Sequence, residues 1–134
     1  MQIRFSHIQF TELNYKVATF DKEVTHELDT SLVIGNMFSD YKRDFAIVFD
    51  FTLQNNSEKF KLELKAIAHF STQSDIDEDF KNSAFVNINA PAIAFPYVRT
   101  FISNLTLNSG YDPIVLPAFN FLQLAEEKEK LTSK

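Results

Sequence analysis

The chain has 134 residues, a single-domain length able to bury a real core without disulfide or metal staples. It has no cysteine, which excludes disulfides, thiolate zinc sites and thiol catalysis, and its net charge of −5 with scattered basic residues disfavours nucleic-acid binding. Its 15 phenylalanines against 2 glycines and 4 prolines point to an aromatic core or to apolar surface held for a partner, and away from glycine-rich phosphate loops.

Polar residues interrupt the opening Met1-Gln2-Ile3-Arg4-Phe5, so no secretory leader is predicted and the expected location is cytoplasmic. No stretch approaches the roughly 18 apolar residues of a membrane span, so direct membrane insertion is not expected. Residues 2–19 carry Ile3, Phe5, Ile8, Phe10, Leu13, Tyr15 and Val17. Their phase flips between Phe5 and Ile8 and again between Phe10 and Leu13. That predicts a strand that either bulges or is covered on both faces. Residues 28–37, with Leu28, Thr30, Leu32 and Ile34 in phase, predict the next strand.

Phe45, Ile47, Phe49, Phe51 and Leu53 alternate on one side of a third strand. From Phe60 to Phe70 the even positions are apolar and the odd ones mostly polar, the pattern of a strand with one buried and one wet face. The polar turn Gln54-Asn55-Asn56-Ser57-Glu58 joins the two as a hairpin. Ser74, followed by acids, predicts a short helix reaching Val86 and broken at Asn89-Ala90-Pro91. A longer helix is predicted from about Pro91 to Asn108, kinked at Pro96 and ended by Gly110. Asn120 caps a last helix, from Phe121 to about Leu131. The fold class is α+β in one domain, 1–134: a four-stranded antiparallel sheet, then a main helix and a C-terminal helix.

Nothing singles out catalysis. His7, His26 and His69 are isolated in sequence, without the helical spacing of a metal site. The cluster Asp75, Asp77, Glu78 and Asp79 lacks the glycine and terminal glutamate of a calcium loop and reads as a helix start. No enzyme activity, metal or cofactor is predicted.

The segment Pro91-Ala92-Ile93-Ala94-Phe95-Pro96-Tyr97-Val98-Arg99 resembles the core motif of the SecB protein-export chaperones, in which Phe-Pro-Tyr-x-Arg opens the main helix. Gly110, Tyr111 and Leu116-Pro117-x-x-Asn120-Phe121 match the family's following loop at the same distance. The strand order fits over nearly the whole chain. The resemblance implies an ATP-independent holdase that keeps unfolded precursors translocation-competent in apolar grooves and delivers them to the SecA motor. It also implies a homotetramer, a dimer of dimers with the main helices between sheets.

On that reading the client groove takes Leu13, Tyr15, Val17 and Phe20 from the first strand and its exit, and Leu116, Phe119, Phe121 and Leu122 from the loop and last helix. Tyr97, Phe101 and Leu105 are candidates for the oligomer interface. For all of these, ordinary packing within the chain is the plain alternative. Arg99 either pairs with a carboxylate across the helix or interface, or is solvated. Glu12 and Glu63 fall on positions implied to contact the motor. Lys16 stands where a third acid is expected, Lys61 where an apolar residue is expected, and Ala118 where a proline is common. These departures bear on motor coupling rather than on holding. SecB-like chaperones of toxin–antitoxin systems share the fold, so a dedicated antitoxin chaperone is one alternative. A small-ligand-binding α+β domain, which needs a closed cavity with convergent polar groups, is the other.

Overall fold

The alternating segments become β1 (Ile3–Val17), β2 (Leu28–Phe38), β3 (Asp44–Asn55) and β4 (Phe60–Thr72). They form one antiparallel sheet in the order β1-β4-β3-β2. The computed structural model describes residues 2–17, 28–40, 42–57, 59–116 and 118–132. Phe20, His26 and Pro117, singled out above, lie outside the described residues.

The phase flips of β1 resolve as bulges. The β1–β4 register shifts between Phe5 and His7 and again between Phe10 and Glu12, leaving Ser6 and Thr11 without pairing partners in β4. An extra residue reverses the side-chain alternation once. Ile3, Phe5, Ile8, Phe10, Leu13, Tyr15 and Val17 therefore all lie opposite residues on the buried side of β4 (Thr72, Phe70, Ala68, Ala66, Leu64, Leu62 and Phe60). The second possibility, a cover on each face, is not what the strand does.

Helix α1 (Glu78–Lys81) starts later than the sequence suggests. Its cap is Asp77, whose carboxylate accepts from the Phe80 amide at 2.8 Å, rather than Ser74. The predicted break at Asn89-Ala90-Pro91 is also absent. A π-helical turn, Phe85–Asn89, runs straight into α2 (Ala90–Asn108). Pro91 falls in the first turn of α2, where a missing amide hydrogen breaks no bond of that helix. The helix continues through Pro96, which is exposed. It ends in a two-bond cap: Tyr111 N donates to Thr106 O at 3.0 Å and Gly110 N to Leu107 O at 3.2 Å, with Gly110 at φ 95°. Asn120 caps α3 (Phe121–Thr132), its side chain accepting from Gln123 N at 3.0 Å.

The core lies between one face of the sheet and α2. Phe49, Phe51, Phe60, Phe70, Leu53 and Leu62 from the central strands meet Ala94, Phe95, Val98 and Ile102 of the helix, all of them buried. No helix of the described residues is long and apolar enough to cross a membrane.

Candidate functional site

Two surfaces carry the residues singled out by sequence, one on each face of the sheet. On the helix side, Leu13 and Val17 point the same way as the core but lie at the end of edge strand β1, where they stay 47% and 59% exposed. Tyr15, between them, tilts against Phe60 with ring centroids 5.5 Å apart. Its hydroxyl is shielded from water, and no side chain or backbone group among the described residues meets it at hydrogen-bond geometry. Burial raises the pKa of this phenol, nearby Tyr111 adds to the rise, and Ser109 opposes it.

The segment after α2 is pinned at one residue. Ser103 Oγ donates to the Ile114 carbonyl at 2.6 Å, and Ile114 N donates to Thr106 Oγ at 3.1 Å. Both polar groups of the Ile114 backbone are thus held by side chains of one helix. With Ile114 fixed, the extended chain alternates: Val115 is 82% exposed and Leu116 only 3%. Leu116, a groove candidate by sequence, has the packing role instead within this chain. Val115, passed over in sequence, is the uncovered neighbour; its extended context announced the alternation but not which of the two residues faces out. Phe119 and Phe121 are half-buried edge-on to Phe95, at 5.1 and 5.7 Å. Leu122 stays 52% exposed.

The interface candidates sit where α2 crosses β1. Tyr97 stacks on Phe5 at 4.8 Å and Phe101 on Phe10 at 4.0 Å, while Leu105 is half-buried. Packing within the chain therefore accounts for one side of each ring, and Tyr97 keeps half of its surface outward.

The opposite, wet face of the sheet divides into two halves. At one end stand Lys16, Asn14 and Glu12 of β1, Lys61, Glu63 and Lys65 of β4, and Thr52 and Asp50 of β3. Lys65 Nζ lies 4.0 Å from Glu12 and 3.7 Å from Asp50, and Lys61 Nζ lies 3.1 Å from Glu63. Glu12 and Glu63 do come together here, around an open depression of about 690 Å³. Asp50, which sequence reasoning missed, joins them because β3 pairs with β4 at Lys65.

At the other end the face turns apolar, with Ile67 and Val48 paired, Ala46 beside His69, and Met37 exposed on β2; Val33, also exposed, flanks Asp50 at the charged end. A second open depression, of about 410 Å³, lies there against His7, His69 and Met37. His7 and His69 stack at 4.5 Å, and His69 Nε2 bonds Gln9 Oε1 at 2.9 Å. Burial lowers the His69 pKa, and His7 lowers it further, against an opposing pull from Asp44. No group of three or more metal-ligating side chains gathers among the described residues.

Comparison with known proteins agrees with this architecture. The family model described as "Preprotein translocase subunit SecB" matches residues 8–131. An uncharacterized protein of Methanocaldococcus jannaschii is 43% identical over 54 residues, 37% of this chain and 35% of that one. The protein-export protein SecB of Anaplasma marginale (strain Florida) is 32% identical over 83 residues, 57% of this chain and 47% of that one. Each match thus spans less than half of the relative's own length. Among solved structures, the SecB-like chaperone Rv1957 of Mycobacterium tuberculosis, in complex with a ChAD peptide from the HigA1 antitoxin, superposes with a TM-score of 0.69 at 15% identity. That likeness covers 87% of this chain and 90% of that one and concerns the fold.

Proposed function

This chain belongs to the SecB family, and from that premise we propose that it is an ATP-independent chaperone. It binds non-native polypeptides on its exposed apolar residues and keeps them competent for translocation. The observation that carries this reading is the uncovered set Leu13, Val17, Val115 and Leu122 on the helix side of the sheet. Apolar surface left in water is unfavourable by roughly 25 cal/mol per Å². A client that covers several hundred Å² recovers that energy and offsets the ordering of a flexible chain. Among the described residues no group of three or more metal-ligating side chains competes with this reading, and the two depressions on the wet face are open to solvent rather than the closed cavity a small-ligand domain needs.

In this reading the subunits form a cytoplasmic homotetramer, a dimer of dimers. The outward side of α2, with Ile93, Tyr97 and Leu107 exposed, meets a second copy. The test is direct: aggregation of several unrelated unfolded proteins, followed without ATP, with the mass of the particle measured by light scattering. Suppression by a tetramer is expected. Unchanged aggregation at stoichiometric excess rejects the holding role.

A dedicated chaperone of one antitoxin or similar client is the second reading, favoured by the charge balance of the wet face. Lys16, Lys61 and Lys65 stand among Glu12, Asp50 and Glu63, so the surface available to the SecA motor carries little net negative potential to steer a basic partner. The fold neighbour Rv1957 was solved with an antitoxin peptide. Strong protection of one partner and weak protection of the rest supports this reading; equal protection of all rejects it.

A further inference from the structure

By sequence His7 and His69 stand far apart, and neither has a second histidine at helical spacing. The sheet brings them together. β1 and β4 run antiparallel with His7 directly opposite His69, and the two rings stack on the wet face with centroids 4.5 Å apart and planes within 16°. The first bulge of β1 makes this meeting possible. Ser6 is the inserted residue, and its extra step turns His7 outward instead of toward the core.

Each ring has one nitrogen engaged by a neighbour. His69 Nε2 bonds Gln9 Oε1 at 2.9 Å. A carbonyl oxygen only accepts, so Nε2 carries the proton and the neutral ring presents a lone pair at Nδ1. His7 Nδ1 bonds Ser6 Oγ at 2.8 Å, and a hydroxyl is able to accept, which leaves Nε2 of His7 as its outer ligand atom. A second partner of this kind is the usual companion of a ligating histidine, because it fixes the tautomer and orients the ring. Among the described residues, neither of the two remaining nitrogens makes a hydrogen bond.

Stacked rings aim their lone pairs side by side, so a shared ion requires one ring to turn about its Cβ–Cγ bond. His7 is the one free to do so: it is exposed, and an open depression of about 410 Å³ adjoins the pair. His69, half-buried and tied to Gln9, stays in place. Charge around the pair is mixed, with Arg4 on β1 and Asp44 on β3 both facing this end of the sheet.

We propose that His7 and His69 form a cross-strand chelate for one late first-row divalent cation, of the class of Zn²⁺, Ni²⁺ and Cu²⁺. Imidazole nitrogen suits these ions, whereas oxygen-seeking Mg²⁺ and Ca²⁺ do not favour it. No third histidine or carboxylate gathers with the two rings among the described residues, so water completes the coordination and the ion exchanges freely, unlike one in a closed structural site. The bound ion clips edge strand β1 to β4, two segments distant in the chain.

The experiment is calorimetric titration of the full-length, tag-free protein with Zn²⁺ and with Ni²⁺, repeated on His7→Gln, His69→Gln and His26→Gln. One ion per subunit with micromolar affinity is expected in the wild type. His7→Gln and His69→Gln each weaken binding about a hundredfold, because the second imidazole acts as an intramolecular ligand. His26→Gln leaves it unchanged. Zn²⁺ also raises the denaturation midpoint of the wild type and not that of the two chelate variants. Weakening by only one of those two substitutions, binding that survives in the double variant, loss in His26→Gln, or one ion shared by two subunits overturns the assignment. So does the absence of saturable binding at millimolar metal. None of these outcomes touches the holding role.

Discussion

Phe10 and Phe101 lie face to face, ring centroids 4.0 Å apart and planes within 16° of each other, and this pair sets the height of α2 above edge strand β1. Phe5 and Tyr97 repeat the contact one turn earlier on the helix. Phe101→Ala is expected to destabilise the fold by about 2–3 kcal/mol, below the value for a fully buried ring because Phe101 is half covered. Tyr97→Ala removes less buried area from the subunit but part of its outward face. It should lower the particle mass at micromolar concentration more than it lowers the denaturation midpoint. Denaturant titration and light scattering on the two variants check both statements.

The clamp on Ile114 gives a second expectation. Thr106→Val keeps shape and removes the oxygen that accepts from Ile114 N, leaving a buried amide without a partner. The expected loss is about 1–3 kcal/mol in chemical denaturation. Hydrogen exchange at the Ile114 amide should speed up with it.

Exposed apolar residues should matter to holding and not to folding. Val17→Asp and Leu122→Asp change side chains that are more than half in water, so midpoints should move by no more than about 0.5 kcal/mol. Aggregation suppression should fall severalfold in each. Unaltered suppression in both variants would remove these residues from the groove.

The wet face offers a charge test. Lys65 sits between Glu12 and Asp50, both at the surface, so Lys65→Gln should change stability by less than about 1 kcal/mol. It unmasks two carboxylates. Binding of a lysine-rich peptide should strengthen severalfold at low salt and return to the wild-type level when salt screens the site.

His69 predicts a pH dependence. Its pKa is lowered in the fold, first by burial and then by His7, so the unfolded chain takes up the proton first as pH falls. The sign follows: this contribution is full above the ordinary imidazole value of about 6.5 and is lost as pH drops below it toward the folded-state pKa. Asp44 opposes the effect, and Gln9 holds the ring in place. The melting temperature should drop between about pH 7.5 and 5.5, and less steeply in His69→Gln.

Much of this fold is legible in the alternation of β3 and β4, where a single face is buried and the pattern has nowhere else to go. The cap at Asn120 and the glycine at 110 were equally readable, because their chemistry is local. Helix starts were less so: Ser74 and Asp77 are both good caps, and the choice falls to the one whose following turn buries Phe80. Pro91 looked like a break because sequence alone does not show the π-helical turn that feeds α2 ahead of it. The grouping of Glu12, Asp50 and Lys65 depends on pairing between strands distant in the chain, which no one-dimensional pattern contains. The choice between Val115 and Leu116 hung on the hydrogen bonds to Ile114, set by a helix that precedes them.

Strand β1 has 15 residues and β4 has 13, and the surplus is Ser6 and Thr11. They work as expansion joints. Deleting either would shorten a joint and leave every greasy residue still turned toward the helix. Strand β4 has no such slack, so deleting Glu63 there would rotate everything on one side of the cut to the wrong face. Length variation in this sheet is therefore tolerated at two addresses, both on the strand at one end of the sheet.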